Sequence, residues 1–84
     1  MSTLHDESTS QSITELRRLR LASEITSRAV AARAGVSTGR LSELERGVVE
    51  ATGGELARIS RALHELILAQ AAVKQVANEV GWPL

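Results

Sequence analysis

The sequence predicts an all-α fold: a compact domain of four or five helices, built around a helix-turn-helix and ending in an extended C-terminal helix. Three observations predict it. Residues 25–47 set Gly35 between two short helical patterns, with Ala31 four residues before it and Val36, Ser37, Leu41 and Leu44 after it. Helix-starting residues recur at Ser12, Thr26, Ser37 and Thr52. Residues 55–80 contain neither Gly nor Pro and carry apolar side chains three and four apart.

The elements follow in order. Residues 1–11 are rich in Ser and Thr, carry Asp6 and Glu7 without any Lys or Arg, and show no periodicity. They read as a disordered tail with no contact role. Ser12 and Glu15 have capping-box spacing and open a helix to about residue 22, with Ile13, Leu16 and Leu19 on its buried edge. Thr26 caps a second helix, about 27–34, whose Val30, Ala31 and Ala34 face inward. Gly35 makes the corner, because a tight turn between helices needs a residue that accepts positive φ, and Ala31 is small enough for the next helix to cross closely.

Ser37 caps the third helix, about 38–46, with Leu41 and Leu44 inward and Gly47 as a left-handed stop. The remaining face, Thr38, Gly39, Arg40 and Glu43, has no packing role. That is the layout of a helix that enters a DNA major groove.

Residues 48–52 form a loop, after which Thr52 and Glu55 repeat the capping-box spacing. Leu56, Ile59, Leu63, Leu66, Gln70, Val73, Ala77 and Val80 then make a heptad-like seam. Two readings stay open. Residues 53–80 form one helix roughly 40 Å long at about 1.5 Å per residue, or a kink near His64 divides them into a fourth and a fifth helix. Ile67, Leu68 and Val76 widen the apolar surface. The segment either folds back over the core or forms a homodimer interface through Leu66, Ile67, Val73, Val76, Val80 and Trp82. The interface is preferred, because the apolar area exceeds what a small core can hide. Gly81 ends the helix. The chain thus divides into a tail at 1–11, a helix-turn-helix domain at 12–63 and a dimerising helix and tail at 64–84.

Composition narrows the function. The chain of 84 residues has no Phe or Tyr and a single Trp, so its core is Leu, Ile, Val and Ala and a monomer is expected to be marginal. Without cysteine, disulfides and thiolate metal sites are excluded. No apolar run reaches transmembrane length and residues 1–10 lack the basic and apolar regions of a signal peptide, so the expected location is the cytoplasm, away from any membrane. The formal net charge is zero, yet residues 13–47 hold seven Arg against four Glu, a local cationic bias suited to salt-sensitive DNA affinity.

Catalysis is not expected. His5 and Asp6 lie in the tail, where nothing fixes a triad, and His64 followed by Glu65 lacks the second His of a zinc-protease helix. Gly53 and Gly54 have neither the spacing nor the Lys of a phosphate loop. No catalytic residue, metal site, cofactor or small-molecule ligand is expected.

The same residues resemble the helix-turn-helix regulators typified by the phage Cro and lambda-type repressors (XRE-like). The resemblance runs without a gap over residues 12–63. It takes in Leu16, Arg17, Leu19, Arg20, Ile25 and Thr26 before Ala31, then Gly35, Val36, Ser37, Leu41, Leu44, Glu45, Arg46 and Gly47. Thr52, Leu56, Ile59, Ala62 and Leu63 complete it. It implies a lambda-repressor-like fold and a sequence-specific regulator that binds double-stranded DNA as a homodimer on a palindromic operator. Repression by blocking polymerase is the simplest mechanism it implies.

Carried over position by position, the resemblance assigns base reading to Thr38, Gly39, Arg40 and Glu43, with Arg40 the leading reader. It assigns phosphate contacts to Ser27, Arg28, Ser37 and Arg46, and a structural pair to Arg20 and Glu45, with Ala31 and Gly35 shaping the turn. The chain departs from the pattern at Ser27, where relatives carry Gln, at Val48 and Val49, where they carry basic residues, and at His64, where they carry Gly. The rival reading is an antitoxin or other protein-interaction module on the same fold, its C-terminal helix binding a partner protein.

Overall fold

The computed structural model describes residues 12–79, which form α1 (Ile13–Ala22), α2 (Ser27–Ala34), α3 (Thr38–Glu45) and α4 (Gly53–Glu79). The expected tail at 1–11, and Val80 and Trp82, lie outside the described residues.

Each helix starts where a side chain satisfies the first backbone amides. Ser12 Oγ accepts from the Glu15 amide at 3.2 Å, and Glu15 Oε1 accepts from the Ser12 amide at 3.0 Å, a complete capping box. Thr26 Oγ1 accepts from the Ala29 amide at 3.1 Å, and Ser37 Oγ from the Arg40 amide at 3.0 Å. At the start of α4, Thr52 Oγ1 accepts from the Glu55 amide at 3.1 Å while Glu55 Oε1 accepts from the Thr52 amide at 3.0 Å.

The helix ends are closed by left-handed residues. Gly35 has φ +76° and lets the Val36 amide donate to the Ala31 carbonyl at 3.0 Å. A Cβ at Gly35 would meet nothing within 4 Å, so backbone conformation alone requires glycine there. Gly47 has φ +79°, and the Val48 amide reaches back to the Glu43 carbonyl at 3.0 Å. The end of α1 uses the same geometry without glycine. Glu24 has φ 59°, with the Ile25 amide donating to the Arg20 carbonyl at 3.1 Å. Ile25 is thereby turned into the core.

The core is one cluster drawn from every helix: Leu16, Ile25, Val30, Ala31, Ala34, Leu41, Leu44, Ile59, Ala62 and Leu63 are all buried. α4 packs across α2, which packs in turn against α3. Three of the ten core residues among those described are alanines, two of them on α2, so the helices approach closely and little volume is left for large side chains.

α4 is one helix of 27 residues, roughly 40 Å at 1.5 Å per residue. It runs through position 64 unbroken, with His64 Nδ1 within hydrogen-bonding distance of the Ser60 carbonyl, at 2.8 Å. The seam divides into two surfaces. Leu56, Ile59, Leu63, Leu66 and Ile67 pack on the protein's own body. Gln70 Nε2 donates to the Ser23 carbonyl at 3.0 Å and is the last described tie to the body. Beyond it the apolar side chains stand in solvent, Val73 at 68% and Val76 at 57% exposed, and just before it Leu68 is 70% exposed.

A left-handed conformation costs an L-residue about 1–2 kcal/mol. Glu24→Gly is therefore expected to raise stability by up to about 1 kcal/mol after glycine's own entropic cost. Urea denaturation of the two proteins measures it, and an unchanged midpoint would show that Glu24 carries no strain.

Candidate nucleic-acid interface

The site is α3 and the start of α2. Leu41 and Leu44 are fully buried and commit one side of α3 to the core. On the other side Thr38, Gly39 and Glu43 are exposed, and α4 does not cover them. Ser37 is exposed at the N-cap, and Arg46 is exposed just beyond the last turn, with Nε 3.4 Å from the Ser42 carbonyl. At the start of α2, Arg28 is exposed and Ser27 half-buried, beside first-turn amides oriented to favour an anion.

A charged pair holds the far end of α3. Arg20 Nε donates to Glu45 Oε2 at 2.9 Å and Nη2 to Oε1 at 2.7 Å, while Nη1 donates to the Ile25 carbonyl at 2.9 Å. The side chains are 12% and 9% exposed, so the pair is nearly desolvated and every donor on its inner side is used. It ties the end of α1 to the end of α3.

Arg40 is not presented outward. Its Nε donates to Glu55 Oε2 and its Nη2 to Glu55 Oε1, both at 2.8 Å, the fork-to-fork geometry that guanidinium and carboxylate prefer. The side chains are 34% and 15% exposed, so the pair is partly shielded by the protein. Glu55 Oε1 is the same atom that caps α4 at Thr52, so one carboxylate joins the start of α3 to the start of α4. The hydrogen bonds from Arg40, then the bond from the Thr52 backbone, hold the Glu55 carboxyl at about 2, well below its ordinary 4.5. Reciprocally, the hydrogen bond to Glu55 raises the Arg40 pKa.

Of the residues the sequence singles out, Thr38, Gly39 and Glu43 thus share one open surface. Arg40 borders it but faces Glu55. Glu55 itself has no role in the sequence reading beyond its cap. The signal that marks it is an Arg and a Glu each one turn inside a helix start, on consecutive helices. The expected interface residues are also divided, because Leu66 and Ile67 are half-buried against the body and Val73 and Val76 are not. Among the described residues, no group of three or more His, Cys, Asp or Glu is arranged to hold a metal ion. No described helix is long and apolar enough to cross a membrane.

A short helix anchored by one buried edge, preceded by a tight glycine turn and a second capped helix, defines a helix-turn-helix DNA-binding protein. A helix-turn-helix family model matches residues 16–66, and the chain belongs to that family, the DNA-binding regulators of XRE type. Comparison with curated proteins and with solved structures returns no match.

Two outcomes test the energetics. Glu45→Ala strands the Arg20 charge in a nearly dry site and is expected to cost about 3 kcal/mol, read by thermal or urea unfolding. A loss under about 0.5 kcal/mol would assign the pair to solvent. The second concerns acid. A carboxyl whose native pKa is depressed contributes stability above its unfolded value near 4.5, and that contribution fades as pH falls toward about 2. Wild type is therefore expected to exceed Glu55→Gln in stability near neutrality, with the gap closing below pH 4.5 and nearly gone at pH 2. A gap constant with pH would separate Glu55 from the titration.

Proposed function

We propose that this protein is a sequence-specific transcriptional regulator that binds a roughly palindromic operator in double-stranded DNA as a homodimer and represses by occluding polymerase. The observation that carries the reading is the open side of α3. Thr38, Gly39 and Glu43 are exposed on a helix whose opposite edge, Leu41 and Leu44, is fully buried. A helix fixed on one side and polar on the other can lie in a major groove with its first turn against base edges.

In this reading the base-facing set is Thr38, Gly39 and Glu43, with Arg40 at its border and turned to Glu55. Thr38 hydrogen-bonds a base or packs its methyl on thymine, Gly39 allows close approach, and Glu43 accepts from cytosine N4. Ser27, Arg28, Ser37, Arg46 and the first amides of α2 hold phosphates and set the register. Two protomers, joined through the distal part of α4, present their α3 helices about 34 Å apart, one turn of DNA. The exposed Leu68, Val73 and Val76 support that junction, which Val80 and Trp82 extend. The same apolar face also supports the rival reading, in which a different protein docks there.

Selection of bound sites from random DNA, with salt titration, tests the function. A palindromic consensus with half-sites one helical turn apart is the expected product, and binding without sequence preference would overturn it. Val73→Glu with Val76→Glu is expected to halve the mass measured by light scattering and weaken operator binding at least tenfold. An unchanged mass would remove α4 as the dimer element, and a monomeric wild type that co-purifies with another chain would favour the rival.

A further inference from the structure

We infer that Glu55 withholds Arg40 from DNA, so that Glu55 is a specificity-determining residue of this interface although it lies on a different helix. The inference rests on the DNA-binding reading above and concerns which of the residues beside the groove take part.

The geometry carries it. A guanidinium grips guanine through O6 and N7, or a phosphate through two oxygens, by presenting a planar fork of N–H donors. In Arg40 the fork formed by Nε and Nη2 is already filled by Glu55 Oε2 and Oε1, both at 2.8 Å. One edge cannot serve two planar acceptors at once, so Glu55 occupies it as a nucleic-acid acceptor would, and at the other edge Nη2 also donates to the Glu50 carbonyl at 3.5 Å. Glu55 is itself held. Its Oε1 accepts the Thr52 amide at 3.0 Å, which fixes the carboxylate at the first turn of α4 and leaves it little freedom to follow Arg40 outward. Arg40 is fixed as well, through the Ser37 cap on its amide at 3.0 Å. With Arg40 neutralised, Thr38, Gly39 and Glu43 read the bases, and Arg28 and Arg46 supply the positive charge beside them.

The consequence is opposite to that of an arginine that reads the groove. Glu55→Gln keeps a capping-box residue on α4, since Gln serves at that position, but removes the charge that holds Arg40. Four proteins discriminate: wild type, Glu55→Gln, Arg40→Ala and the double variant, each titrated with a site selected by wild type and with random duplex, over a range of salt. Circular dichroism of each confirms the fold.

The expected result is that Glu55→Gln binds about three- to tenfold tighter at low salt, with a log–log salt slope steeper by about 0.9 for one added phosphate contact. Alternatively it enriches guanine in freshly selected sites, if the released fork reaches a base. Either gain is lost in the double variant, and Arg40→Ala alone stays within about twofold of wild type. A tenfold loss in Arg40→Ala overturns the inference, because Arg40 then reads DNA with Glu55 in place, and this arm decides even if Glu55→Gln fails to fold. A folded Glu55→Gln that binds no tighter and selects no additional guanine also overturns it. Binding of DNA by none of the four refutes the DNA-binding reading itself, and binding by Glu55→Gln alone is the strongest support for the restraint.

Discussion

A helix of eight residues has no independent stability in water, and α3 is eight residues long. Its existence and its direction are therefore set by what the rest of the chain does to its edges. Leu41 and Leu44, fully buried, bind it to the core along one line. The Ser37 cap closes its first turn, and Gly47 lets the chain leave at its last. Two arginine–glutamate forks fix its ends, Arg20 to Glu45 from α1 and Arg40 to Glu55 from α4. Rotation of α3 about its axis would expose a leucine and break a fork together. A reading helix needs that rigidity, because a displacement of an ångström at the groove misaligns every base contact.

Among the described residues, the core that anchors α3 contains no aromatic ring. Close helix approach, enabled by Ala31, Ala34 and Ala62, stands in for bulk, and its dispersion contacts depend on the helices staying close. α4 supplies the largest apolar wall, yet only its first half is needed. From Leu56 to Ile67 it closes the core, and Gln70 then binds the carbonyl at Ser23. Past that point Val73 and Val76 keep the spacing of a packed seam and stand exposed among the described residues.

The local signals were legible in the sequence, and the long-range ones were not. Caps at Ser12, Thr26, Ser37 and Thr52 could be read because the interacting atoms lie within three residues of one another. Gly35 was legible because few other residues accept its φ. Glu24 at φ 59° was not, since it adopts that conformation to deliver Ile25 to the core rather than by any preference of its own. The unbroken course of α4 through His64 was open on local grounds and follows from packing on both sides of that position, Leu63 before it and Leu66 after it. The restraint on Arg40 was hidden for a simpler reason. Glu55 already had a role as a cap, and a cap's second partner comes from 15 positions away on another helix.

Charge counted along the chain misleads for the same reason. Residues 13–47 carry seven Arg against four Glu, which reads as a cationic face. Folding brings two further glutamates onto that segment from α4: Glu55 to Arg40 at 2.8 Å, and Glu65 to Arg33 at 2.8 Å. A third arginine, Arg20, is enclosed with Glu45. Two of these pairs are forks, Arg20 to Glu45 joining α1 to α3 and Arg40 to Glu55 joining α3 to α4, while Arg33 makes a single, exposed bond from α2 to Glu65 on α4. Arg28 and Arg46 stay exposed near α3, as does Arg17, whose Nε lies 3.9 Å from Glu45 Oε1 at the end of that helix. Electrostatic attraction to phosphate is correspondingly modest, and in the proposed reading discrimination comes from the fit of Thr38, Gly39 and Glu43 to the base edges rather than from charge. An acid at position 43 sharpens this, because Glu43 is repelled by phosphate wherever no exocyclic amine is present to donate to it.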